Sequence, residues 1–329
     1  MDIPITQSKD WEKLQNDLHE TSFYEQGTGF SFLAILKHTP VGNYLYCPYG
    51  PIAKDQKSFN SAIGSLKNLA TAHHAIFIRI EPQNIAIKLP KNTKKSTDLN
   101  PKETWILDLQ GGNDELKQKL PSRLLRYYKG REKQGIHIET SKNPDDIHYL
   151  LDLQKALASK KGINTFSEKY LQTELRQPFA TLYLVKTSDA WTDDGPGGGP
   201  PKLSPILGEE KVRQDPSRSN IIAAGLVFDD ATTRYNLQGA QSEQGRKLHA
   251  TGILTIQLIY DAKSKGLKTF DFWGIAPDGA PADHPWAGFT NFKKTFQGYE
   301  RQYHGTYDLI LKPTKYKSYQ LLRKLRRLV

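Results

Sequence analysis

Apolar residues along the chain follow two rhythms, and their alternation predicts a mixed α/β protein. Ser8 is placed to cap a helix in which Trp11, Leu14 and Leu18 share a face, and Phe30 to Lys37 then reads as a strand. Asn43 to Cys47 gives a second strand. Phe59, Ile63, Leu66 and Leu69 trace a long amphipathic helix, and Ala75-Ile76-Phe77-Ile78-Arg79-Ile80 reads as a buried strand with Arg79 facing out. Trp105 to Leu109 adds another strand, and Ser122 to Lys133 is a basic helix that Gly135 closes.

From Asn143 the pattern begins again. Helices are predicted at Asp145 to Ser159, Ser167 to Arg176 and Lys247 to Lys265, the last ended by Gly266, with strands at Ala180 to Lys186, Ile221 to Phe228 and Thr233 to Leu237. The strand Thr269 to Trp273, the Phe292 segment, a hairpin near Tyr299 to Leu311 and a basic helix from Lys315 complete it. Two mixed α/β (α+β) halves in series, residues 1–143 and 144–329, are the economical description. Residues 188–220 interrupt the second half with Asp193-Asp194-Gly195-Pro196-Gly197-Gly198-Gly199-Pro200-Pro201. A run of three consecutive glycines and a Pro-Pro forbid regular structure there, so the segment reads as a long exposed hairpin insertion. It lacks the Lys-Ser/Thr ending and following helix of a phosphate-cradling loop.

Charge narrows the partners. With 46 Lys and Arg against 35 Asp and Glu, the net charge of +11 points to an anion: nucleic acid, phosphates or an acidic membrane surface. Cys47 is the single cysteine, so neither an intramolecular disulfide nor a cysteine-based zinc site is available. Its neighbours Tyr46 and Pro48 suggest a packed thiol. The start Met1-Asp2-Ile3-Pro4 is unlike a signal peptide, and Ile221 to Phe228 is too short to span a bilayer, so a cytoplasmic protein is expected; a monomer is expected as well. Any membrane contact would be peripheral.

The densest chemistry lies at Trp286 to Gly298, where Lys293 and Lys294 stand among Phe289, Phe292 and Phe296 shortly after Phe270-Asp271-Phe272-Trp273-Gly274. Helical spacing alone would make the phenylalanines core and the lysines a solvated face. The run nevertheless resembles the C-terminal signature of the Fem aminoacyltransferases, which attach amino acids from aminoacyl-tRNA to peptidoglycan precursors. Tyr44-Leu45-Tyr46-Cys47-Pro48-Tyr49-Gly50-Pro51, Phe77-Ile78-Arg79-Ile80-Glu81-Pro82, Thr104 to Leu109, Arg123 to Gly135 and Lys160-Lys161-Gly162-Ile163 before Tyr170 follow in the family order. The resemblance implies two tandem acetyltransferase-like (GNAT) subdomains, the first holding the acceptor and the second the donor, without the coiled-coil arm of some members.

It also implies roles. Lys37, with Tyr49 and Tyr170, would hold the acceptor, the lysine gripping its diphosphate; the bland alternative is an exposed lysine at a strand end. Family members also use an arginine just before the Tyr170 position, where this chain has Phe166, so Lys160 or Lys161 would have to supply that charge. Glu81 would hold or deprotonate the acceptor amine, or else pair with Arg79 or a lysine. Lys293 would stabilise the tetrahedral oxyanion, and the carbonyl of Phe292 would orient the attacking amine; Lys294 is the confounder. Neither a cofactor nor a metal is implied, because the ester of aminoacyl-tRNA is already activated and the nine histidines lack metal spacing. Arg123, Arg126 and Lys129, interleaved with Tyr127 and Tyr128, and the cluster Arg323 to Arg327 would meet tRNA phosphates, or anionic lipid, or only solvent. The acceptor would be UDP-MurNAc-pentapeptide or lipid II. An acyl-CoA N-acyltransferase is the rival enzyme, with Gln244-Gly245-Arg246-Lys247 as a partial pyrophosphate loop, and an RNA-binding module is the rival outside enzymology.

Overall fold

The strand Ala75–Ile80 is apolar because helices cover both faces of its sheet. One face packs Ile78 and Ile80, with Phe32, Ala34 and Leu45, against Phe59, Ala62, Ile63 and Leu66 of the helix Gln56–Ala72. On the other, Ile76 and Phe77 meet Tyr316 of the helix Pro313–Leu325. The computed structural model describes residues 3–161, 166–188, 191–192, 195–196 and 220–325. The chain divides into two units: Met1–Ile106, Trp273–Lys294 and Tyr299–Val329 form the first, Leu107–Phe272 and Thr295–Gly298 the second.

In the first unit Phe30–Lys37 lies antiparallel between Ser22–Gly27 and Asn43–Cys47, which runs parallel to Ala75–Ile80. Tyr307–Ile310 then pairs antiparallel with both Ala75–Ile80 and Thr93–Lys95. Ser8 caps the helix Lys9–Asp17 as expected, its hydroxyl accepting from the Trp11 amide at 3.2 Å.

Arg79 does not face out. It is 2 % exposed, lies below the C-terminal helix, and donates from Nε and Nη2 to Asp308 at 2.7 and 2.9 Å. Local alternation missed this because the covering helix is more than 200 residues away, as the Arg79–Asp308 separation of 229 shows. Nor is Tyr299 to Leu311 a hairpin: Tyr299–Gln302 pairs with Glu103–Asp108, while Tyr307–Ile310 joins the Ala75 strand. The chain passes from the first unit to the second after Ile106 and returns to the first at Trp273.

The second unit is an antiparallel run of Ile136–Ser141, Ala180–Thr187, Ile221–Asp229 and Thr233–Gln241, with Thr269–Gly274 joining parallel to the last. Helices Ile147–Lys161 and Ala250–Ser264 pack on the two central strands. Gly252 admits the basic helix Ser122–Gly130, since a Cβ there would lie 2.6 Å from Leu124. Gly135 closes that segment at φ +67°, as its sequence suggested. The predicted helix Lys247 to Lys265 breaks at left-handed His249, leaving a short helix Glu243–Lys247 before Ala250–Ser264. Most of the 188–220 insertion lies outside the described residues. Among the described residues no helix is long and apolar enough to cross a membrane.

Candidate active site

The helix Ala287–Lys294 directs its two lysines apart. Thr290 is buried and its hydroxyl accepts from the Ala276 amide at 2.8 Å, which ties the helix to the chain leaving Gly274. Lys293 then donates to the Gly274 carbonyl at 2.6 Å, its ammonium 5.1 Å from the centre of the Phe289 ring. Lys294 instead lies 5.6 Å above Trp105 and 3.9 Å from Glu300. Phe292 is half-buried. A cation fixed by a carbonyl and an aromatic face is preorganised, and that separates the two lysines without appeal to motif position.

The carbonyl that seats Lys293 follows a strained residue. Trp273 has φ +66°, a left-handed conformation that costs a bulky side chain about 1–2 kcal/mol. Gly274 permits no side chain: a Cβ would lie 2.7 Å from Pro101 Cγ and 3.3 Å from Trp286. The Trp273 ring meets Tyr49 edge-on at 5.5 Å. Tyr49 is itself at φ +50°, and its hydroxyl donates to the Pro101 carbonyl at 2.7 Å.

Glu81 underpins this arrangement. Its carboxylate is 2 % exposed. Oε1 accepts from Thr306 at 2.6 Å, and Oε2 accepts from Asn100 at 2.7 Å, Tyr46 at 3.1 Å and the Tyr49 amide at 3.2 Å. Its own amide donates to the Gly50 carbonyl at 2.8 Å, so backbone and side chain together clamp the left-handed turn at Tyr49. Burial, then the adjacent Glu81 charge, pushes the Tyr46 phenol well above its ordinary range and keeps it a donor. Arg79 is committed to Asp308 and does not pair with Glu81. Cys47 is fully buried behind this turn, where burial pushes its thiol up; the packed reading was correct.

The remaining candidates are dispersed. Lys37 is ion-paired with Glu20 at 2.8 Å and in register with Tyr44, whereas Cys47 at the other end of that strand is in register with Ile80, next to Glu81. Tyr170 belongs to the second unit, stacks on Phe166 at 5.1 Å and hydrogen-bonds Glu174. Arg123, Arg126 and Lys129 are exposed on the helix Ser122–Gly130, also in the second unit. The side chains of Lys160 and Lys161 lie outside the described residues, as do Arg326 and Arg327. Gly245 is a packing glycine, since a Cβ would lie 2.2 Å from the Ile222 carbonyl oxygen, and its amide donates to the Ser242 hydroxyl at 3.0 Å. Sequence reading overlooked Asn100, Thr306 and Pro101, polar or ring partners with no motif of their own.

These features define the class of protein: two mixed α/β units with a lysine seated on a backbone carbonyl after a strand. The fold is that of FemX, which matches with a TM-score of 0.75 at 17 % identity over 95 % of this chain and 94 % of that one. L-PGS from Bacillus licheniformis matches at 0.55 and 16 % identity, covering 94 % of each chain. The C-terminal domain (DUF2156) of a putative lysylphosphatidylglycerol synthetase from Agrobacterium fabrum matches at 0.56 and 11 % identity, over 92 % of this chain and 87 % of that domain. No curated protein matches the chain in sequence. Residues 207–324 match the model of the FemAB family, a span that includes Gly274, Phe292 and Lys293. The Fem resemblance read from the motifs is thereby borne out.

Proposed function

We propose that the protein is an aminoacyltransferase that moves an amino acid from aminoacyl-tRNA to the stem-peptide amine of a peptidoglycan precursor, UDP-linked or lipid-linked. The observation that carries this reading is the Lys293 ammonium, held at 2.6 Å by the Gly274 carbonyl within the FemAB-matching segment. The acceptor amine attacks the ester carbonyl, whose oxygen becomes an oxyanion. Lys293 stabilises that charge more than it stabilises the neutral ester, so it raises the rate rather than affinity alone. Collapse breaks the acyl–oxygen bond, the ribose oxygen leaves with a proton derived from the amine, and an amide remains. The Phe292 carbonyl is proposed to orient the amine. Glu81, buried and accepting from donors on both oxygens, is proposed to position the Tyr49 turn and, through Pro101, the Gly274 seat. Arg123, Arg126 and Lys129 are proposed to meet tRNA phosphates.

The test is transfer of radiolabelled amino acid from a mixed pool of charged tRNAs to UDP-linked muropeptide, lipid-linked muropeptide and phosphatidylglycerol, with acetyl-CoA as a parallel donor. RNase-sensitive label on muropeptide is expected. Label on phosphatidylglycerol alone, or transfer from acetyl-CoA alone, would overturn the proposal.

A further inference from the structure

Two large aromatic side chains stand open beside the Lys293 seat. Trp286 is 38 % exposed and Phe289 42 % exposed; their rings are tilted by 42° with centroids 5.9 Å apart. Scattered exposed aromatics are ordinary, but these two are adjacent and anchored. The Trp286 amide donates to His284 Nδ1 at 3.1 Å, and the ring edge borders the space above Gly274. Phe289 lies below the Lys293 ammonium at 5.1 Å. Such pairs are a means of holding a planar π-system, and every nucleobase has one.

We propose that Trp286 and Phe289 form a stacking platform for the terminal nucleobase of the donor RNA. The inference rests on the aminoacyl-tRNA reading above and deepens it. In that reading the ester carbonyl sits at Lys293, and a single ribose separates this carbonyl from the terminal base. A base on the platform and a carbonyl at the ammonium therefore belong to one nucleotide, because the ammonium and the Phe289 ring are only 5.1 Å apart. The platform gives a hold on the acceptor end of any tRNA regardless of which amino acid it carries. A lipid surface fits less well, because the platform is only two rings wide, with centroids 5.9 Å apart, whereas membrane-surface binding scales with buried apolar area.

The experiment titrates the full chain with the uncharged trinucleotide CCA and with the same trinucleotide lacking its terminal base, by calorimetry. The wild type should bind the base-bearing form roughly 10- to 100-fold more tightly, the equivalent of one stacked base. Trp286→Ala should abolish that discrimination and raise KM for charged tRNA, while Trp286→Phe should retain most of it. Equal affinity for the two trinucleotides in the wild type, or undiminished discrimination in Trp286→Ala, would overturn the platform. So would loss of binding to phosphatidylglycerol vesicles in Trp286→Ala with CCA discrimination intact, which would assign the patch to lipid. Failure of the parent reading is separable: it appears as absence of transfer by the wild type, whereas failure of the platform appears as transfer with an unchanged KM in Trp286→Ala.

Discussion

Glu81→Gln tests whether this carboxylate positions or reacts. A glutamine can place its oxygen where Oε2 stands and keep the three bonds from Tyr46, Tyr49 and Asn100. Each then loses its charge assistance, about 1 kcal/mol apiece, partly offset because a buried charge is removed. The new NH₂ faces Thr306, whose hydroxyl can turn to accept, although it already accepts from the Leu99 amide at 3.1 Å. A net loss of about 1–3 kcal/mol follows, seen as a fall of a few degrees in Tm. Glu81→Ala leaves those donors without an acceptor in a sealed site and should cost more than about 4 kcal/mol. With the turn geometry kept in Glu81→Gln, kcat should fall by less than about tenfold and the acid limb of the pH–rate profile should persist. A general base would instead lose about 10²- to 10⁴-fold together with that limb. Such a loss at unchanged Tm would refute the positioning argument.

Four further outcomes follow from particular contacts. Lys293→Met should lower kcat by about 10²- to 10³-fold with RNA affinity intact by filter binding; wild-type turnover would remove Lys293 from catalysis. Gly274→Ala must displace the rigid Pro101 ring or the Lys293 seat, so it should cost about 1–3 kcal/mol in Tm analysis and reduce kcat as well, and full activity would contradict the seat. Burial pushes the Glu174 carboxyl up to about 8 against the opposing pull of the Tyr170 hydroxyl. An unfolded glutamate ionises near ~4.3, so between there and pH 8 the folded chain alone holds the proton, and stability should fall as pH rises through that window. Glu174→Gln should flatten this slope in urea midpoints taken at pH 5 and 8, and a retained slope would place its origin elsewhere. Replacing Arg123, Arg126 and Lys129 by alanine should make RNA binding less sensitive to salt, the log–log slope falling by about one for each phosphate no longer neutralised, and an unaltered slope would leave that face merely solvated.

The legible parts of this chain were those with local causes. The cap at Ser8, the αL closure at Gly135 and the covered strand Ala75–Ile80 each follow from a few neighbouring residues. The Phe292–Lys293 block could be singled out through its resemblance to the Fem signature, since helical spacing alone made its lysines a solvated face, whereas it takes the contacts of each lysine, Gly274 and Phe289 against Trp105 and Glu300, to tell Lys293 from Lys294. What escaped was non-local. Arg79 read as solvent-facing because its partner Asp308 stands 229 positions away, and the partners expected for Glu81 were an acceptor amine, Arg79 or a lysine because Asn100 and Thr306 carry no motif. The broken helix at His249 was hidden too: no local signal demands φ +56° from a histidine, whereas stacking of Tyr127 on its ring at 4.1 Å accompanies it.

The same non-local pair explains how the site is held. Arg79 and Asp308 are in register across antiparallel strands, as are Ile80 and Tyr307, so Thr306 arrives opposite Glu81 and delivers its hydroxyl. A slip of one residue would turn Asp308 to the other face, leave the Arg79 guanidinium buried without its carboxylate and withdraw Thr306. A buried ion pair contributes little net stability over apolar packing, so its value here lies in excluding the wrong register. Tyr316 adds to that choice by donating to Asp308 at 2.8 Å from the covering helix. The strand that closes the first sheet is thus also what completes the Glu81 clamp. Through Tyr49, Pro101 and Gly274, a continuous series of contacts links that strand register near the end of the chain to the Lys293 ammonium.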